Sequence, residues 1–487
     1  MKVLLVNPPS VNGVRVVREG RCMQRQDGWT AAWPPLSLAY CASVLRKSGI
    51  EAALRDCIIE KIDFESLKEV IRDFKPDLLV INTATFTIEG DLSVARLARE
   101  IFPGVHAAAM GIHVTALPDE SFRAEPMLDY IIRGEPEETV RDLALAIQEG
   151  RDPLEVKGIS FRIGGVVKHN SDRPFIGDLD ALPFPAWDLV DLDDYREPLS
   201  GERILLISPG RGCPYGCSFC AGKTYYGSKV RLRSPKNIAD ELAWDGTQFG
   251  VRNFLFWIES FTINRDHVLA LMDEIISRKL DIRFICNSRV ADVDREMLFK
   301  LKKAGCWMIA FGIESGNQEI LDSMKKATLL PQAKKAVLMS HEAGLKVVGH
   351  CIIGVPGESV KTIKQTMALV RTLRLDYVQY YCCVPFPGSD LYREALEKGW
   401  INTDRWDGFE QSYSVMDLPN LDSRNVMKWR KKAFLRFYLS PGTVFRILGE
   451  IRSLGHLKRL AGMVNDFLFW ILAKRERIWP PKRPSRR

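Results

Sequence analysis

The sequence has no apolar run long enough to cross a membrane, which takes about 18 residues. The nearest such run, Leu460 to Ala473, is interrupted by Asn465 and Asp466. The first residues, MKVLLVNPPS, form an apolar segment of strand length that ends in a proline pair, and they lack the pattern of a secretory signal peptide. A secreted protein and an integral membrane protein are therefore both disfavoured, and we expect a cytoplasmic location.

Two further features are missing. The first predicted strand, Val3–Val6, runs into Asn7-Pro8-Pro9 without the spaced glycines of a dinucleotide-binding loop, which disfavours a nicotinamide site. We also expect no leader that would direct the chain to an oxidising compartment. The 11 cysteines therefore indicate reduced thiols, some of them metal ligands, better than they indicate disulfides.

The composition is that of an ordinary globular protein, with 487 residues of which 46% are hydrophobic and 27% are charged. This length favours two or three domains. The net charge of +8 is unevenly distributed, because residues 426–487 carry 16 Lys and Arg against three acidic residues. That excess of 13 positive charges leaves the rest of the chain at −5, so a basic body suited to nucleic acid is not indicated.

Residues 1–150 alternate short apolar runs with helical patterns, which predicts an α/β domain with a Rossmann-like, five-stranded parallel sheet. The predicted strands are Val3–Val6, Ala52–Arg55, Leu78–Asn82, Ala107–Gly111 and Tyr130–Ile132, and the helices are Leu36–Lys47, Phe64–Phe74, Asp91–Phe102 and Glu137–Gln148. Residues 151–200 follow as a hairpin and a linker rich in Pro and Asp.

Residues 201–395 resume the alternation with six βα units, which favours a partial (β/α)6 barrel of the TIM type over a closed eight-unit barrel. The predicted strands are Ile204–Ser208, Asn253–Ile258, Arg283–Asn287, Trp307–Gly312, Lys346–Gly354 and Tyr377–Val384. Residues 396–487 form a C-terminal region that is helical and increasingly basic. Ligands of such folds bind at the carboxyl ends of the strands.

The strongest local signal is a triplet of cysteines, Cys213, Cys217 and Cys220, in the sequence RGCPYGCSFC just after a predicted strand. Three thiolates can hold three irons of a four-iron cluster and leave the fourth iron open. A zinc site is the alternative, but it needs a fourth protein ligand, and no further cysteine follows before Cys286. Chance spacing of thiols is the remaining alternative.

This triplet, with an aromatic residue before its last cysteine, resembles the radical S-adenosylmethionine (radical SAM) superfamily. The resemblance implies that Cys213, Cys217 and Cys220 bind a [4Fe–4S] cluster whose open iron binds S-adenosylmethionine (SAM). It also implies reductive cleavage of SAM to a 5′-deoxyadenosyl radical, with Phe219 near the adenine. The electron would come from a reducing partner such as flavodoxin or ferredoxin.

Other strand ends resemble SAM-contacting elements of the same family. The resemblance implies that Glu259 contacts the methionyl ammonium and that Glu314 and Ser315 bind the ribose. It implies further that Gly354 lies at the adenine and that Asn287 and Arg289 reach the methionyl carboxylate. The family's first acidic position is occupied here by Ile258, which leaves Glu259 to carry that role. Each element alone is a weak signal, because a single polar residue in a strand-end loop is usually solvated.

The first domain resembles the cobalamin-binding domain of cobalamin-dependent radical SAM enzymes. The resemblance implies that residues at its strand ends contact cobalamin, namely Thr83, Thr85, Gly111, His113, Thr115, Gly134 and Glu135. The Asp-x-His-x-x-Gly signature that supplies a histidine to cobalt is absent, since Asp56 is followed by Cys57-Ile58-Ile59. Cobalt would then lack a histidine ligand. The alternative is an α/β domain that has kept the fold without a cofactor.

The C-terminal region combines apolar residues at helical spacing with Arg and Lys between Phe434 and Trp479. Such a basic amphipathic segment packs its apolar face on the barrel or lies in an anionic membrane surface. The first arrangement is favoured. The second would make the protein peripheral at the inner membrane surface.

The resemblance as a whole implies a cobalamin-dependent radical SAM enzyme that methylates an unactivated carbon of a small molecule. Aromatic residues at the strand ends hint that this substrate is hydrophobic. One alternative is a radical oxidative cyclase of the anaerobic Mg-protoporphyrin ester cyclase type, and another is a cobalamin or redox sensor without turnover. The sequence identifies no catalytic residue beyond those that bind cofactors.

Overall fold

The structure is a computed structural model that describes residues 1–10, 16–19, 22–25, 32–198, 200–449, 451, 455, 458–462 and 464–465. Two sheets with helices on their faces form its two main units, one mostly parallel and one fully parallel. Within these described ranges, no helix is both long enough and apolar enough to cross a membrane.

The first unit is built on a seven-stranded sheet in the order β4-β1-β5-β6-β7-β8-β9. Its elements are β1 (Lys2–Asn7), β2 (Val16–Glu19), β3 (Cys22–Arg25), α1 (Leu36–Lys47), β4 (Glu51–Asp56), α2 (Phe64–Phe74), β5 (Leu78–Asn82), α3 (Ile88–Ile101), β6 (His106–Met110), α4 (Ile112–Ala116), α5 (Pro118–Ala124), β7 (Tyr130–Ile132), α6 (Glu137–Glu149), β8 (Ile159–Ile163) and β9 (Val166–His169). All residues of β5 and nearly all of β1 are buried, because helices cover both faces of the sheet.

The five parallel strands are those expected from the sequence, whereas two hairpins add to them. β8 pairs antiparallel with β7, so the predicted hairpin extends the parallel sheet at its edge. β2 and β3 form a separate two-stranded ribbon between β1 and α1, which the sequence did not predict. The buried Arg18 of β2 forms an ion pair with Asp91 at 2.7 Å, which anchors this ribbon to α3.

The second unit contains six parallel strands in the order β10-β13-β14-β15-β16-β17. Its elements are β10 (Ile204–Ile207), β11 (Gly210–Arg211), α7 (Gly222–Tyr226), β12 (Arg231–Leu232), α8 (Pro235–Phe249), β13 (Asn253–Phe256), α9 (Arg265–Ser277), β14 (Arg283–Ser288), α10 (Arg295–Lys303), β15 (Cys306–Glu314), α11 (Gln318–Ser323), α12 (Leu330–Glu342), β16 (Lys346–Ile353), α13 (Val360–Leu373), β17 (Tyr377–Cys382) and α14 (Asp390–Glu397). The predicted fold class, a parallel α/β domain followed by a six-stranded partial barrel, is confirmed.

The C-terminal region was expected to be helical from residue 396, but residues 398–422 contain no α-helix and instead pair through isolated β-bridges, such as Ile401 with Met416. It continues with the α-helices α15 (Ser423–Tyr438) and α16 (Pro441–Gly449). α15 packs against the edge strand β17, where the Tyr438 hydroxyl donates to the carbonyl of Val378 at 2.9 Å. Phe434 lies against Tyr380 with ring centroids 5.4 Å apart. The apolar face of α15 is therefore packed on the barrel. The last part of the predicted basic tail, residues 466–487, lies outside the described residues.

Candidate functional site

The cysteine triplet lies in a loop between β11 and α7, at the carboxyl end of the first barrel strand. Gly212 opens the loop with φ +89°, and a Cβ there would lie 2.2 Å from the carbonyl oxygen of Lys229, so only glycine fits. The middle of the loop is held by Ser218, whose N–H donates to Met324 O at 3.0 Å and whose carbonyl accepts from Leu391 N at 2.9 Å. Distant parts of the chain thus fix the loop.

None of the three cysteines forms a disulfide, and all three line a cavity of about 200 Å³. The N–H of Gly222 points at the Sγ of Cys220 across 3.4 Å, as a donor to a thiolate would. Burial raises the pKa of the Cys217 thiol, and the positive charge of Lys326 opposes this rise. The loop therefore presents three thiols and a backbone donor to one cavity.

Within the described ranges, no three His, Cys, Asp or Glu side chains are placed so that they could hold one metal ion. This finding bears on a site for a single ion, whose ligands must all reach one centre. The ligands of an iron–sulfur cluster bind different irons and stand farther apart. The arrangement of the triplet therefore offers no preformed zinc site.

Three predicted residues from the next two strands join the cysteines in the cavity. Glu259 follows β13, and its carboxylate accepts from the N–H of Gly212 at 3.1 Å. Asn287 lies near the end of β14 and Arg289 follows it. The Arg289 guanidinium stacks over the ring of Tyr215 at 3.4 Å and donates to the carbonyl of Ala327 at 2.9 Å, so part of its hydrogen-bonding capacity is already used.

The carboxylate of Glu314, at the end of β15, forms a buried ion pair with the ammonium of Lys326 at 2.5 Å. Glu314 has φ +59°, and the pairing of β15 with β16 shifts register beside it. A Cβ on Gly312 would lie 2.5 Å from the Glu314 carboxylate and 2.7 Å from the Lys326 ammonium. The absence of a side chain at Gly312 thus makes room for the pair.

Lys326 is a site residue that the sequence analysis missed. It lies between Lys325 (φ +53°) and Ala327 (φ +51°), two residues with a left-handed backbone conformation that residues other than glycine rarely adopt. The segment Met324–Ala327 binds three parts of the site at once: Met324 O holds the cysteine loop, the carbonyls of Lys326 and Ala327 hold Arg289, and the ammonium of Lys326 holds Glu314. Two adjacent lysines in a polar loop are typical of a solvated surface, so nothing in the sequence indicated that Lys326 belongs to the site.

Phe219 also lines the cavity, whereas Ser315 and Gly354 do not. The buried Ser315 hydroxyl accepts from the N–H of Asn317 at 3.2 Å, and Gly354, with φ +90°, donates its N–H to the Glu358 carboxylate at 2.6 Å. Burial raises the pKa of Glu358 to about 7. The structure gives Ser315 and Gly354 places in the supporting turns, and their predicted contacts with SAM stay predictions.

Predicted cobalamin-binding residues of the first domain lie side by side at the carboxyl edge of its sheet. Gly111 has φ +127°, and a Cβ there would lie 2.7 Å from Thr83 O. The Thr115 hydroxyl donates to Gly111 O at 2.8 Å and accepts from the N–H of Gly134 at 3.2 Å. Thr83, Gly111, Thr115 and Gly134 therefore form one continuous row, which we call the rim row, while Thr85 is buried next to it.

His113 is buried next to the rim row, and its Nδ1 has no hydrogen-bond partner in the part of the chain that the structure describes. The ring of Trp406 meets it edge-on with centroids 4.7 Å apart. Burial lowers the pKa of His113 to about 3, so the imidazole is neutral at physiological pH.

Glu135, the last of the predicted cobalamin contacts, lies in an ion-pair cluster with the second unit. Its carboxylate lies 3.3 Å from the guanidinium of Arg211 and 2.8 Å from that of Arg231. The sequence did not suggest these partners, because they are 76 and 96 residues away along the chain. Its predicted contact with cobalamin stays a prediction.

The far wall of the cavity contains Tyr381, one of the strand-end aromatic residues noted in the sequence, together with His350, Phe386 and Gln411, which the sequence did not indicate. His350 and Tyr381 stack there with centroids 5.5 Å apart, beside Gln411 and Phe386. Ile112, which begins α4 of the first unit, reaches the same cavity. The strand ends of both units therefore contribute to one space.

Comparison with known proteins assigns both units. Residues 207–370 match the model of the radical SAM superfamily, and residues 30–144 match that of the B12 binding domain. An uncharacterized methyltransferase of Pyrococcus horikoshii is 30% identical over 467 residues, which covers 96% of this chain and 99% of the relative.

Two other matches agree with this assignment. The anaerobic magnesium-protoporphyrin IX monomethyl ester cyclase of Rubrivivax gelatinosus is 29% identical over 415 residues, covering 84% of this chain and 74% of the relative. Among solved structures, the radical SAM methyltransferase TsrM of Kitasatospora setae has the same fold, with a TM-score of 0.72 at 17% identity and coverage of 96% of this chain and 99% of that chain.

These matches fall on the two units that carry the cysteine loop and the rim row, and the resemblance seen in the sequence is confirmed. Because the alignment with the archaeal relative extends over nearly the whole of both chains, the chain belongs to the radical SAM superfamily, among the enzymes that carry a B12-binding domain.

Proposed function

We propose that this enzyme methylates an unactivated carbon of a hydrophobic small molecule, using SAM and a bound corrinoid. The observation that carries the proposal is a shared cavity, which is lined by the cysteine loop of the barrel and by Ile112 of the B12-binding unit. A [4Fe–4S] cluster with SAM supplies a 5′-deoxyadenosyl radical when bound, and the corrinoid supplies a methyl group. The methyltransferase named among the relatives supports this reaction class.

The residues present fit the cluster. The three thiols of Cys213, Cys217 and Cys220 line the cavity without disulfides, and the backbone around them is fixed by hydrogen bonds from outside the loop. Three thiolate ligands leave one iron for SAM, as this chemistry requires.

The residues also fit a corrinoid. The orphaned Nδ1 of His113 is a buried polar atom in need of a partner. Gly111 beside it lies so close to Thr83 that a side chain at this edge of the sheet would clash with the Thr83 carbonyl. The neutral imidazole can donate or accept a hydrogen bond at the edge of a corrinoid ring. Thr115 and Gly134 continue this edge, and the buried Thr85 lies next to it.

The chain's own residues would bind and orient SAM. Glu314 would accept hydrogen bonds from the ribose hydroxyls through the oxygen that Lys326 does not hold, and Glu259, which already accepts from Gly212, would accept from the methionyl ammonium. Asn287 and Arg289 would bind the methionyl carboxylate and Phe219 would contact the adenine, and all three residues line the cavity. Apolar residues of the cavity, such as Ile352 and Val384, limit the entry of water, which protects a reactive radical.

The test is anaerobic reconstitution with iron, sulfide and hydroxocobalamin, followed by incubation with SAM carrying a deuterated methyl group. We expect bound iron, bound corrinoid, 5′-deoxyadenosine and transfer of label to an acceptor isolated with the enzyme or supplied from a set of hydrophobic candidates. The triple variant Cys213→Ala/Cys217→Ala/Cys220→Ala should lose the iron–sulfur absorption, and Cys57→Ala, which changes a thiol on the first unit, should keep it. A protein that never takes up iron would refute the proposal.

Radical oxidation or ring formation is the second candidate, supported by the cyclase relative at 29% identity. The same experiment separates the two reactions, since an oxidised or cyclised product carries no labelled methyl group. A sensor without turnover would bind corrinoid but form no 5′-deoxyadenosine under reducing conditions.

Radical SAM enzymes need a reductant, and we propose an acidic electron-transfer protein such as flavodoxin or ferredoxin. Lys223 and Lys229 are exposed on the segment that follows the cysteine loop. Complementary charge of this kind raises association rates and makes them sensitive to salt. Lys223→Glu/Lys229→Glu should slow reduction by flavodoxin and leave reduction by dithionite unchanged; equal rates with flavodoxin would contradict the proposed surface.

We also propose peripheral contact of the C-terminal region with an anionic membrane. Phe445 and Leu448 lie one turn apart on α16 with 74% and 52% of their surface exposed, and residues 426–487 carry the basic excess of the chain. Deletion of residues 463–487, or Phe445→Glu, should reduce co-sedimentation with anionic vesicles. Neutral vesicles should bind neither the unchanged protein nor the two variants. Unchanged co-sedimentation would remove this proposal.

A further inference from the structure

A buried cluster of four charges joins the two units directly beneath the cysteine loop. It consists of Glu135 and Glu137 from the first unit and Arg211 and Arg231 from the second. All four residues are buried, and the two positive charges balance the two negative ones. A buried pair of this kind is costly unless its hydrogen bonds are well formed, and here they are.

Arg211 is the centre of the cluster. Its guanidinium donates to both carboxylate oxygens of Glu137, at 3.1 and 2.5 Å, and lies 3.3 Å from Glu135. The rings of Tyr40 and Tyr226 lie 5.6 and 5.8 Å from it. The forked geometry and the flanking rings leave the side chain one orientation, so Arg211 has a fixed position relative to the first unit.

Arg231 fixes the other end of the loop. It is the register partner of Arg211 in the ribbon of β11 and β12, and it shares the carboxylate of Glu135. Its guanidinium also donates to the carbonyls of Ile176 and Tyr226 at 2.8 and 2.7 Å. Because β11 precedes the cysteine loop and β12 follows α7, the first unit holds both ends of the segment that carries all three cysteines.

The same contacts continue to the rim row. Gly134, its last member, is followed immediately by Glu135, and Glu137 begins α6 one residue beyond Pro136. On the other side, Arg211 is separated from Cys213 only by Gly212, whose N–H donates to Glu259. A continuous set of hydrogen bonds, ion pairs and adjacent residues therefore extends from the predicted corrinoid contacts to the cysteine loop and to a predicted SAM contact.

We propose that Glu137 and Arg211 are positioning residues that couple the corrinoid site to the SAM site, so that each ligand strengthens the binding of the other. This inference rests on the proposed function, because it assumes that both ligands bind. A ligand on the rim row orders Gly134 and Glu135, which hold Arg211 and through it the cysteine loop. Such coupling is reciprocal by thermodynamic necessity, and couplings of this type typically change affinity about fivefold or more.

The test measures SAM affinity of the reconstituted enzyme by anaerobic equilibrium dialysis without reductant, with and without bound hydroxocobalamin. For the unchanged protein we expect the dissociation constant of SAM to fall about fivefold or more when hydroxocobalamin is bound. In Glu137→Gln, which keeps the size of the side chain, this ratio should approach one while each ligand still binds. Glu138→Gln is the matched control, since Glu138 pairs with Arg173 at 3.6 Å and not with Arg211.

If Glu137 had a purely structural role, its replacement would weaken the binding of both ligands without changing the ratio of the SAM dissociation constants measured without and with hydroxocobalamin. This ratio is therefore the decisive quantity. Arg211→Lys provides a second variant that keeps the charge but loses the fork, and it serves if Glu137→Gln does not fold. An unchanged ratio in both variants, or a ratio of one in the unchanged protein, overturns the inference. Failure of the unchanged protein to bind iron or corrinoid at all would instead refute the proposed function, and the inference with it.

Discussion

Replacement of Lys326 by methionine is the sharpest test of the SAM site. The change keeps the apolar stem of the side chain and removes only the ammonium, which lies 2.5 Å from the Glu314 carboxylate. Both side chains are 8% exposed, so the carboxylate would be left buried without its cation. Breaking a buried ion pair in this way typically costs about 3–5 kcal/mol. Because the pair lines an open cavity, we expect the lower end, about 3 kcal/mol, in the free energy of unfolding.

The same change should weaken SAM binding, because Glu314 would no longer be held towards the ribose. A hydrogen bond to a charged group is worth about 1.5–3 kcal/mol, and each 1.4 kcal/mol is about tenfold in affinity. We therefore expect the dissociation constant of SAM to rise about ten- to hundredfold. Anaerobic equilibrium dialysis of the reconstituted enzyme measures it, and guanidinium unfolding measures the stability.

Lys325→Met is the matched control, since Lys325 precedes Lys326 and its ammonium pairs with Asp390 at 3.4 Å on the surface. Exposed pairs contribute about 0–1 kcal/mol, so this variant should bind SAM almost as the unchanged protein does. Equal SAM affinity in the two variants would show that the ion pair does not organise the site, and the role given to Glu314 would have to be abandoned.

Three further changes test other parts of the site. Gly312→Ala places a methyl group against the ion pair of Glu314, so SAM affinity should fall by tenfold or more, while iron content stays the same. Gly111→Ala would crowd Thr83 and should lower the corrinoid bound per chain, measured by absorbance, without loss of iron. Burial raises the pKa of Glu358 from 4.5 to about 7, so the protonated form stabilises the fold below pH 4.5 and this contribution is lost as pH rises through 7. Glu358→Gln should remove about 3 kcal/mol of that pH dependence in guanidinium unfolding; parallel pH profiles would contradict it.

The cysteine loop could be predicted from the sequence because its chemistry is local. Three thiols within eight residues after a strand define a set of ligands without any knowledge of long-range contacts. The resemblance to the radical SAM family implied Glu259, Asn287 and Glu314 as SAM contacts, and their shared position at the carboxyl ends of parallel strands supports this, because those ends meet at one edge of a sheet. The structure places all three in the cavity with the cysteines.

Lys326 and the partners of Glu135 could not be predicted, because their roles depend on contacts between distant segments. Lys326 acquires its place through two backbone conformations of positive φ that the letters Lys-Lys-Ala do not indicate. The sequence indicates only that Glu135 follows the end of a strand, as its neighbours do. In the structure its charge is neutralised by two arginines of the other unit. In both cases burial turns an ordinary surface residue type into a structural one, and burial is a property of the whole fold.

The position of Ile112 explains how two separate parallel sheets can serve one reaction. It follows β6 of the first sheet at the same edge as the rim row, and it lines the cavity that the barrel strand ends also line. The ion-pair cluster around Arg211 keeps those two edges facing each other, since it joins the loop after β7 to the strand before the cysteines. If the units could slide apart, the distance between the two cofactor sites would not be fixed, and a radical formed at one would meet water before it met a group at the other. Buried ion pairs with two parallel hydrogen bonds and no net charge resist such sliding, because their hydrogen bonds require a fixed geometry. A purely apolar interface has no such directional requirement.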